Sequence, residues 1–356
     1  MNTEAPFDKT LSEDLERIAA GFDKDRFKGK SFLITGATGL VGSFLVKALA
    51  CANRVRSAEM TIYALIRDEE KAKAVLGEGI VSRGDIKLVK GDVTKPLHID
   101  ADINYIVHCA AITNSKKMIT YPVETIKTMV DGTVNVLELA REKNVDAMVY
   151  VSSMEAYGSP DPNREWTREE DYGYVDVLKV RSCYPEGKRM ADCLCAAYAH
   201  EYGLNVSIAR LAQSFGAGVL PTETRVFYQF ATSLIKGEDI VLHTTGESVG
   251  NYCYLADCGE ALLFMLAHAE AGEAYNVVNE DSCIMIRDMA AMIAEMSGGK
   301  IKVIYDIPAT NEFGYAPPVK MHLSGEKLRK LGFEAKTGLR ESFERMMETM
   351  KTREAE

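Results

Sequence analysis

The sequence predicts an α/β fold, in which a doubly wound parallel sheet is joined to a smaller, interleaved α/β lobe toward the C-terminus. Apolar runs of strand length alternate with helical periodicity through the first two-thirds of the 356 residues, as in proteins whose helices cover both faces of a parallel sheet. A glycine-rich turn joins the first strand to the following helix. After Leu211 the alternation gives way to shorter, mixed elements, which predicts the second lobe.

The elements follow in order from a leading helix within residues 1–28, whose apolar stripe is Leu11, Leu15, Ile18 and Phe22. We expect this helix to pack on the sheet edge or on a partner. Residues 29–212 form the predicted sheet domain, with strands near 31–35, 61–66, 86–89, 104–108, 147–152 and 205–210 and helices near 41–52, 122–143 and 186–202. Residues 213–356 form mainly the substrate-binding lobe, and about 251–283 are expected to return to the sheet domain. The later elements are helices near 226–236, 256–268, 285–297 and from about 338, and strands near 240–243, 275–278 and 300–305.

Gly36, Gly39 and Gly42 follow the first predicted strand at three-residue spacing, and helical periodicity begins directly after them. In a dinucleotide-binding (Rossmann) turn, the first glycine permits a tight turn and the second lets the backbone approach a pyrophosphate. The third allows the helix to pack closely on the strand, and the helix N-terminus supplies amide donors. The alternative is a glycine-rich connection without a ligand, but the flanking strand and helix favour nucleotide binding.

Tyr184 and Lys188 stand four residues apart in SCYPEGKRMAD, so they share one face of a helix. Pro185 suits the first turn of that helix, where its missing amide hydrogen costs nothing. A nearby ammonium and an oxidised nicotinamide favour the phenolate, so we expect the pKa of Tyr184 to fall below its usual value of about 10. Tyr184 is therefore predicted to act as acid and base near neutral pH.

These motifs resemble the extended short-chain dehydrogenase/reductases, also called the NAD(P)-dependent epimerase/dehydratase family, over nearly the whole chain. The resemblance rests on the glycine turn, on segments 91–93 and 108–111, on SSMEAYG, and on the tyrosine and lysine just described. It implies that Ser153 hydrogen-bonds the reacting oxygen, that Tyr184 is the acid and base, and that Lys188 holds the cofactor ribose. It also implies that segment 210–218 closes over cofactor and substrate.

The same resemblance implies the remaining site residues. Glu155 joins Ser153, Tyr184 and Lys188 as a catalytic residue. The cofactor-binding residues are Gly36, Thr38, Gly39, Leu40, Val41, Gly42, Arg67, Asp92, Val93, Ala110, Ala111, Lys188 and Leu211. The substrate-binding residues are Thr113, Ser153, Glu155, Gln213, Arg225 and Asn251. No metal site is expected.

The cofactor is expected to be NADP or NAD. In this fold an acidic residue at the end of the second strand binds the ribose of NAD, whereas an arginine there accommodates the extra phosphate of NADP. Ile66 falls on the position that is acidic in NAD enzymes, and Arg67 follows it directly. This favours NADP, although Asp68 lies only one residue further on.

The reaction is predicted to be the epimerisation of a nucleotide sugar through a transient keto sugar, because the predicted trio moves a proton and a hydride without further groups. Alternatives are an NADPH-dependent keto-sugar reductase or dehydrogenase, a UDP-glucuronate decarboxylase-like enzyme, and a non-catalytic dinucleotide-binding regulator. Met154 stands where the similar dehydratases carry an acid, which disfavours 4,6-dehydration. Gly250 stands where the similar decarboxylases carry an arginine, although their glutamate is matched by Glu155.

Composition narrows the partners. The formal net charge of −10 argues against nucleic acid or an anionic membrane as partner, and no apolar run reaches the length of about 20 residues that a membrane span needs. The polar, acidic start does not resemble a signal peptide, so a cytoplasmic protein with free, mostly buried thiols is expected. We also expect a homodimer formed through helices 122–143 and 186–202, and a lid over the site from Ser159 to Ser182.

Overall fold

The computed structural model describes residues 4–308 and 318–354. Parts of the predicted segments 1–28 and 213–356 lie outside the described residues. The strands are β1 Ser31–Thr35, β2 Thr61–Ile66, β3 Ile86–Lys90, β4 Tyr105–His108, β5 Ala147–Ser153, β6 Val206–Leu211, β7 Gln213–Phe215, β8 Ile240–Leu242, β9 Val249–Gly250, β10 Tyr252–Tyr254, β11 Ala274–Val277, β12 Ile284–Met285 and β13 Val303–Tyr305. The helices are α1 Lys9–Gly21, α2 Lys24–Phe27, α3 Leu40–Arg56, α4 Glu69–Leu76, α5 Glu78–Val81, α6 Ser115–Thr120, α7 Pro122–Lys143, α8 Cys183–Tyr202, α9 Val226–Lys236, α10 Leu255–His268, α11 Ile286–Met296, α12 Glu326–Leu331 and α13 Leu339–Glu354.

The central sheet has seven parallel strands in the order β11-β6-β5-β4-β1-β2-β3. Its strands alternate side chains between two buried faces, so Phe32 and Ile34 join one hydrophobic core and Leu33 joins the other. The first core is shared with α3 and α10, and the second with α7 and α8. The strand order reverses between β1 and β4, and a crevice opens at such a point beyond the carboxyl ends of the strands.

The second lobe has a core of its own, formed mainly by α9, α11 and α13. The ring centroids of Phe215 and Phe227 lie 4.6 Å apart in a stacked pair, and Phe343 packs against Phe215 at 4.8 Å. Two short strand pairs, β13 with β8 and β12 with β9, border this core. The second lobe thus has a hydrophobic core distinct from the two that cover the sheet.

The predicted fold class is confirmed, and the predicted strands and long helices of the first two-thirds are found within a few residues of their expected limits. The domain limits stay a prediction. Strand β11 pairs with β6 in the central sheet, which supports the expected return of about 251–283 to the sheet domain. All eight cysteines lie within the described ranges as free thiols, and Cys193 is the exposed one. No helix within those ranges is long and apolar enough to cross a membrane.

The leading helix α1 differs from its expected position. Its apolar stripe, with Leu15 and Ile18 fully covered, packs against α3 and α10 instead of the sheet edge. A polar side chain of α1 also bonds to residues far along the chain. Arg17 donates to Asp257 Oδ1 at 2.7 Å and to Thr337 Oγ1 at 3.2 Å. The helix therefore forms an outer layer on one face of the domain.

Candidate active site

A cavity of about 260 Å³ lies at the crevice of the sheet, between the glycine turn and the start of α8. Strand β5 ends at Ser153, and α8 begins at Cys183, so that Tyr184 lies in its first turn and Lys188 one turn further on. The structure thus brings Ser153, Tyr184 and Lys188 together from two elements. Among the other predicted residues, those that also line the cavity are Gly36, Gly39, Leu40, Val41, Gly42, Ala111, Thr113, Glu155, Leu211, Gln213 and Arg225.

The side chain of Lys188 lines the cavity and is almost fully buried. Its Nζ donates to the carbonyl of Val151 at 2.7 Å and lies 4.8 Å from the ring centroid of Tyr150 and 5.8 Å from that of Tyr184. Burial lowers the pKa of Lys188 to about 8. Two of the three ammonium protons remain for other acceptors, which suits the predicted contact with a ribose.

The phenol of Tyr184 does not have the lowered pKa that its spacing from Lys188 predicts. Burial and the charge of Glu155 raise the pKa of Tyr184, and a hydrogen bond with Ser153 and the charges of Arg181 and Arg225 oppose this only in part. Lys188 is directed to a backbone carbonyl and not to the phenol oxygen. The expectation of a lowered pKa is therefore wrong for the side chains of the protein by themselves.

The glycine turn has no room for a side chain at Gly36 or at Gly42. Gly36 has φ +64°, a conformation that glycine adopts without strain, and a Cβ there would meet Ala110 N at 2.8 Å. A Cβ on Gly42 would lie 2.3 Å from the carbonyl oxygen of Gly36. These contacts leave a backbone cradle in front of the N-terminus of α3, whose cap residue Gly39 adds no side chain. The cradle and the helix N-terminus fit the pyrophosphate of a dinucleotide.

The end of β4 supports this cradle. His108 is buried, and burial together with the charge of Lys188 lowers its pKa to about 3, so the ring is neutral. Its Nδ1 lies 2.7 Å from Thr35 Oγ1, which also accepts a hydrogen bond from Ala110 N at 3.2 Å. Ala110 therefore stands behind Gly36 and fixes the turn, while Ala111 faces the cavity.

The remaining predicted cofactor residues are not among those that line this cavity. Asp92 is partly buried, yet hydrogen bonds from Thr94 and the charge of Arg67 lower its pKa. Val93 is covered by Gly132 of α7, and Thr38 is half-buried in the turn. Arg67 is exposed just beyond β2. Their predicted contacts with the cofactor stay predictions.

Gln213 and Asn251, both predicted to bind substrate, differ in what their side chains do. Gln213 lines the cavity, and its buried Oε1 has no hydrogen-bond partner among the described residues, so it is available to accept from a ligand. Asn251 is fully buried outside the cavity lining. Its amide donates to the carbonyls of Asn279 and Glu280 and accepts from Leu323 N at 2.8 Å. This geometry favours a structural role for Asn251.

Two arginines are associated with the cavity: Arg225 lines it, and Arg181, which the sequence did not point to, bonds the lining residue Glu155. Arg225, at the start of α9, is bound by both oxygens of Glu223 at 3.0 and 2.6 Å. Arg181 lies just before α8, and its Nη2 donates to both oxygens of Glu155 at 3.0 and 2.8 Å. The position of Arg181 three residues before Tyr184 was the available signal, but its partner is 26 residues away in sequence.

The predicted lid, Ser159 to Ser182, is tied to the sheet by a buried polar network around Arg210. The guanidinium of Arg210 donates to Asp192 Oδ2 at 2.9 Å, to Tyr157 at 3.1 Å and to the carbonyl of Glu169 at 2.6 Å, and it also contacts the hydroxyl of Tyr172. Arg210 is fully buried. It fixes the base of the lid segment and takes no place in the cavity lining.

A model of the NAD dependent epimerase/dehydratase family matches residues 32–279, more than half of the chain, and this span includes all the cavity-lining residues described above. This chain belongs to that family. It is therefore an enzyme of the epimerase/dehydratase family.

Curated relatives of this epimerase/dehydratase-family enzyme include two decarboxylases. UDP-glucuronic acid decarboxylase 6 of Arabidopsis thaliana is 30% identical over 322 residues, which cover 90% of this chain and 89% of the plant protein. UDP-glucuronic acid decarboxylase 1 of Xenopus tropicalis is 30% identical over 285 residues, which cover 79% of this chain and 63% of the frog protein. A dTDP-glucose 4,6-dehydratase of Streptomyces venezuelae, solved with NAD bound, superposes with a TM-score of 0.73 at 22% identity, covering 91% of this chain and 98% of the dehydratase. That likeness shows the shared fold.

Proposed function

We propose that this enzyme oxidises a hydroxyl of a nucleoside diphosphate uronate to a ketone, releases the carboxylate as CO₂ and reduces the ketone again. The observation that carries this proposal is the meeting of Ser153, Glu155, Tyr184 and Lys188 at one cavity with the glycine turn. The named activity of the two curated relatives supports the choice of a uronate.

The glycine cradle and the N-terminus of α3 fit a dinucleotide, which when bound supplies the hydride acceptor and donor for the sugar carbon. Ser153 hydrogen-bonds the reacting hydroxyl, and Tyr184 takes its proton as the ketone forms. Lys188 Nζ, fixed by the carbonyl of Val151, holds the ribose and places a positive charge beneath the phenol. Tyr184 returns its proton to the same oxygen when the ketone is reduced, so there is no net oxidation.

Decarboxylation requires no further catalytic base once the ketone stands β to the carboxylate. The carbon–carbon bond to the carboxylate breaks, its electron pair passes toward the ketone oxygen, and CO₂ leaves. A proton then adds to the carbon that lost CO₂. The protein has to hold the carboxylate near a cation and to exclude competing reactions. Besides Lys188, the cations available are Arg225, which lines the cavity, and Arg181, which bonds the lining residue Glu155.

The test is to incubate the purified protein with UDP-glucuronate and to measure both CO₂ and the mass of the nucleotide product. We expect a product lighter by one CO₂ and no accumulation of reduced cofactor. Tyr184→Phe should lower the rate by about 100- to 10,000-fold, whereas Tyr174→Phe, an exposed tyrosine of the lid, should leave it unchanged. Intact UDP-glucuronate after prolonged incubation would refute the proposed substrate class.

Epimerisation is the second candidate, and Gly250 favours it. This residue pairs with Ile284 at the rim of the site, and a Cβ there would face Met154 Cε at 3.8 Å, so no side chain at 250 reaches toward an anionic substrate. A neutral sugar such as that of UDP-glucose would then be the natural substrate. Conversion of UDP-glucose to an isomer of equal mass, with UDP-glucuronate left unchanged, would favour epimerisation over decarboxylation.

The preference for NADP over NAD is part of the proposal. Arg67 is exposed at the end of β2, and the nearby acid Asp68 caps α4 by accepting from Lys71 N at 3.0 Å. This arrangement supports a contact between Arg67 and a 2′-phosphate. The mass of the cofactor that acid releases from the purified protein decides between NADP and NAD. Stoichiometric NAD would contradict the inference from Arg67.

A further inference from the structure

The predicted lid carries a guanidinium to Glu155, a residue that lines the cavity. Arg181 lies in the short 3₁₀ turn 180–182, directly before α8. Its Cζ is 5.6 Å from the ring centroid of Tyr184, and its Nη2 bonds both carboxylate oxygens of Glu155. Arg181 therefore stands beside the proposed acid/base and beside Glu155, the carboxylate among the lining residues.

Arg181 has unused donors. A single nitrogen makes both bonds to Glu155, so Nε and Nη1 remain, and within the described ranges neither has a hydrogen-bond partner. The side chain of Arg181 is 36% exposed and that of Glu155 is 43% exposed, so a ligand can reach both. A guanidinium has five N–H donors in a planar fork, which allows it to bind two carboxylates at once.

Arg225, the other arginine at the cavity, has less capacity for an anion. Glu223, which is only 13% exposed, takes Nε and Nη2 of Arg225 in a two-point pair, and Nη2 also approaches the carbonyl of Ser214 at 3.4 Å. The charge of Arg225 is thus neutralised within its own loop. Of the two arginines, Arg181 has the larger share of free donors on the side of the reacting residues.

We propose that Arg181 is the residue that selects a substrate with a carboxylate, and that Glu155 holds its guanidinium in place until that carboxylate binds. The inference rests on the proposed uronate function. A substrate carboxylate entering beside Glu155 brings two like charges together, and a cation between them offsets this repulsion. With a glycine at 250, Arg181 supplies the positive group.

The test compares a charged and a neutral ligand on the full-length protein. UDP-glucuronate turnover gives kcat and KM, and titration with UDP-glucose gives the Kd of a ligand without the carboxylate. Arg181→Gln should raise KM for UDP-glucuronate by about 10- to 100-fold and leave the Kd of UDP-glucose unchanged. Arg181→Lys, which keeps the charge, should recover part of the loss.

Arg168→Gln is the matched control, because Arg168 is an exposed lid arginine whose ion pair, with Glu326 at 3.8 Å, lies outside the cavity lining. It should behave as the wild type does. Equal weakening of both ligands by Arg181→Gln would mean that Arg181 only shapes the lid, and would overturn the inference, as would an unchanged KM. The wild type is assayed before any variant is made. If it does not turn over UDP-glucuronate, the proposed function itself is refuted.

Discussion

Lys188 keeps its ammonium almost entirely buried. The side chain is 2% exposed, and its single hydrogen-bond partner among the described residues is the carbonyl of Val151. Burial lowers the pKa of Lys188 from 10.5 to about 8, a difference that corresponds to roughly 3 kcal/mol of destabilisation of the charged form. At neutral pH the free folded protein therefore holds a charge that its interior disfavours.

This predicts an unusual dependence of stability on pH. Between about pH 8 and 10.5 the unfolded chain keeps a proton on Lys188 that the folded protein has lost, so the free energy of unfolding rises with pH through this window. Compared with Lys188→Met, the wild type should gain about 2 kcal/mol between pH 7 and pH 9.5. Urea unfolding of both proteins at the two pH values measures this, and parallel curves would contradict the lowered pKa.

At the residue scale, the sequence predicted side chains whose spacing along one element carries the information. Tyr184 and Lys188 are one helical turn apart, so their meeting follows from the helix alone. Arg181 and Glu155 meet only because α8 and β5 are neighbours in the fold, and no short-range pattern predicts such a pair. The assignment of Asn251 to the substrate stays a prediction, because a buried asparagine that bonds to backbone has the same sequence signature as one that binds a ligand.

At the level of elements, the turn into α3 depends on the absence of side chains. We expect Gly42→Ala to shift the turn, since its Cβ would stand 2.3 Å from the carbonyl oxygen of Gly36, and to weaken dinucleotide binding at least tenfold. Gly21→Ala at the end of α1, where nothing lies within 4 Å of the new Cβ, is the matched control. Fluorescence titration with the cofactor measures the effect, and equal affinities of the two variants would rule out the assigned cradle.

The lid segment is expected to loosen when its anchor is removed. Arg210→Gln leaves Asp192 buried without its ion-pair partner, which should lower the free energy of unfolding by about 3–5 kcal/mol. Lys73→Gln, which breaks an exposed pair with Glu70, should have no measurable effect. Denaturant unfolding gives the free energies of unfolding, and the rate of trypsin digestion at Arg164 and Arg168 reports on the lid segment. An Arg210→Gln variant with unchanged stability and digestion would show that the network does not hold the lid.

Regular elements were predictable because a buried parallel strand or an amphipathic helix is specified by its own residues. Strand β1 has an apolar centre and is buried throughout. Helix α7 begins at a proline and is capped by Asn144 in the left-handed conformation, so it has local start and stop signals. Helix α6 was not predicted, because its six residues are too few to show a helical period. The short pairs β9 with β12 and β8 with β13 depend on contacts that are distant in sequence.

At the scale of the whole molecule, exposed apolar side chains on α7 and α8 support the proposed homodimer. Val123 and Ile126 on α7 and Met190 on α8 are 58%, 42% and 51% exposed, and apolar side chains on two adjacent helices suit a protein–protein contact. We expect light scattering to give twice the chain mass, and Ile126→Glu with Met190→Glu to give the monomer. Val241→Glu, an exposed apolar position in the second lobe, should leave the dimer intact, and a wild type of single mass would end the proposal.

The overall architecture was predictable from the alternation of elements, whereas the contacts between the first helix and the C-terminal part of the chain were not. Nothing in the stripe of α1 indicates that its polar side chains bond to residues near 257 and 337. The second lobe was expected, but its core of aromatic rings from three separated segments follows from packing that the periodicity of each segment does not specify.

The contacts of α1 can form only in a certain order while the chain is being synthesised. Arg17 and its partner Thr337 are 320 residues apart, so at about 5–20 residues per second a ribosome makes the second roughly 15 to 65 s after the first. The apolar stripe of α1 can be covered early by α3, which follows closely in the chain. Asp14, in contrast, is buried between Tyr254 and Arg345, so this carboxylate stays hydrated on the nascent chain and is enclosed among the last events of maturation.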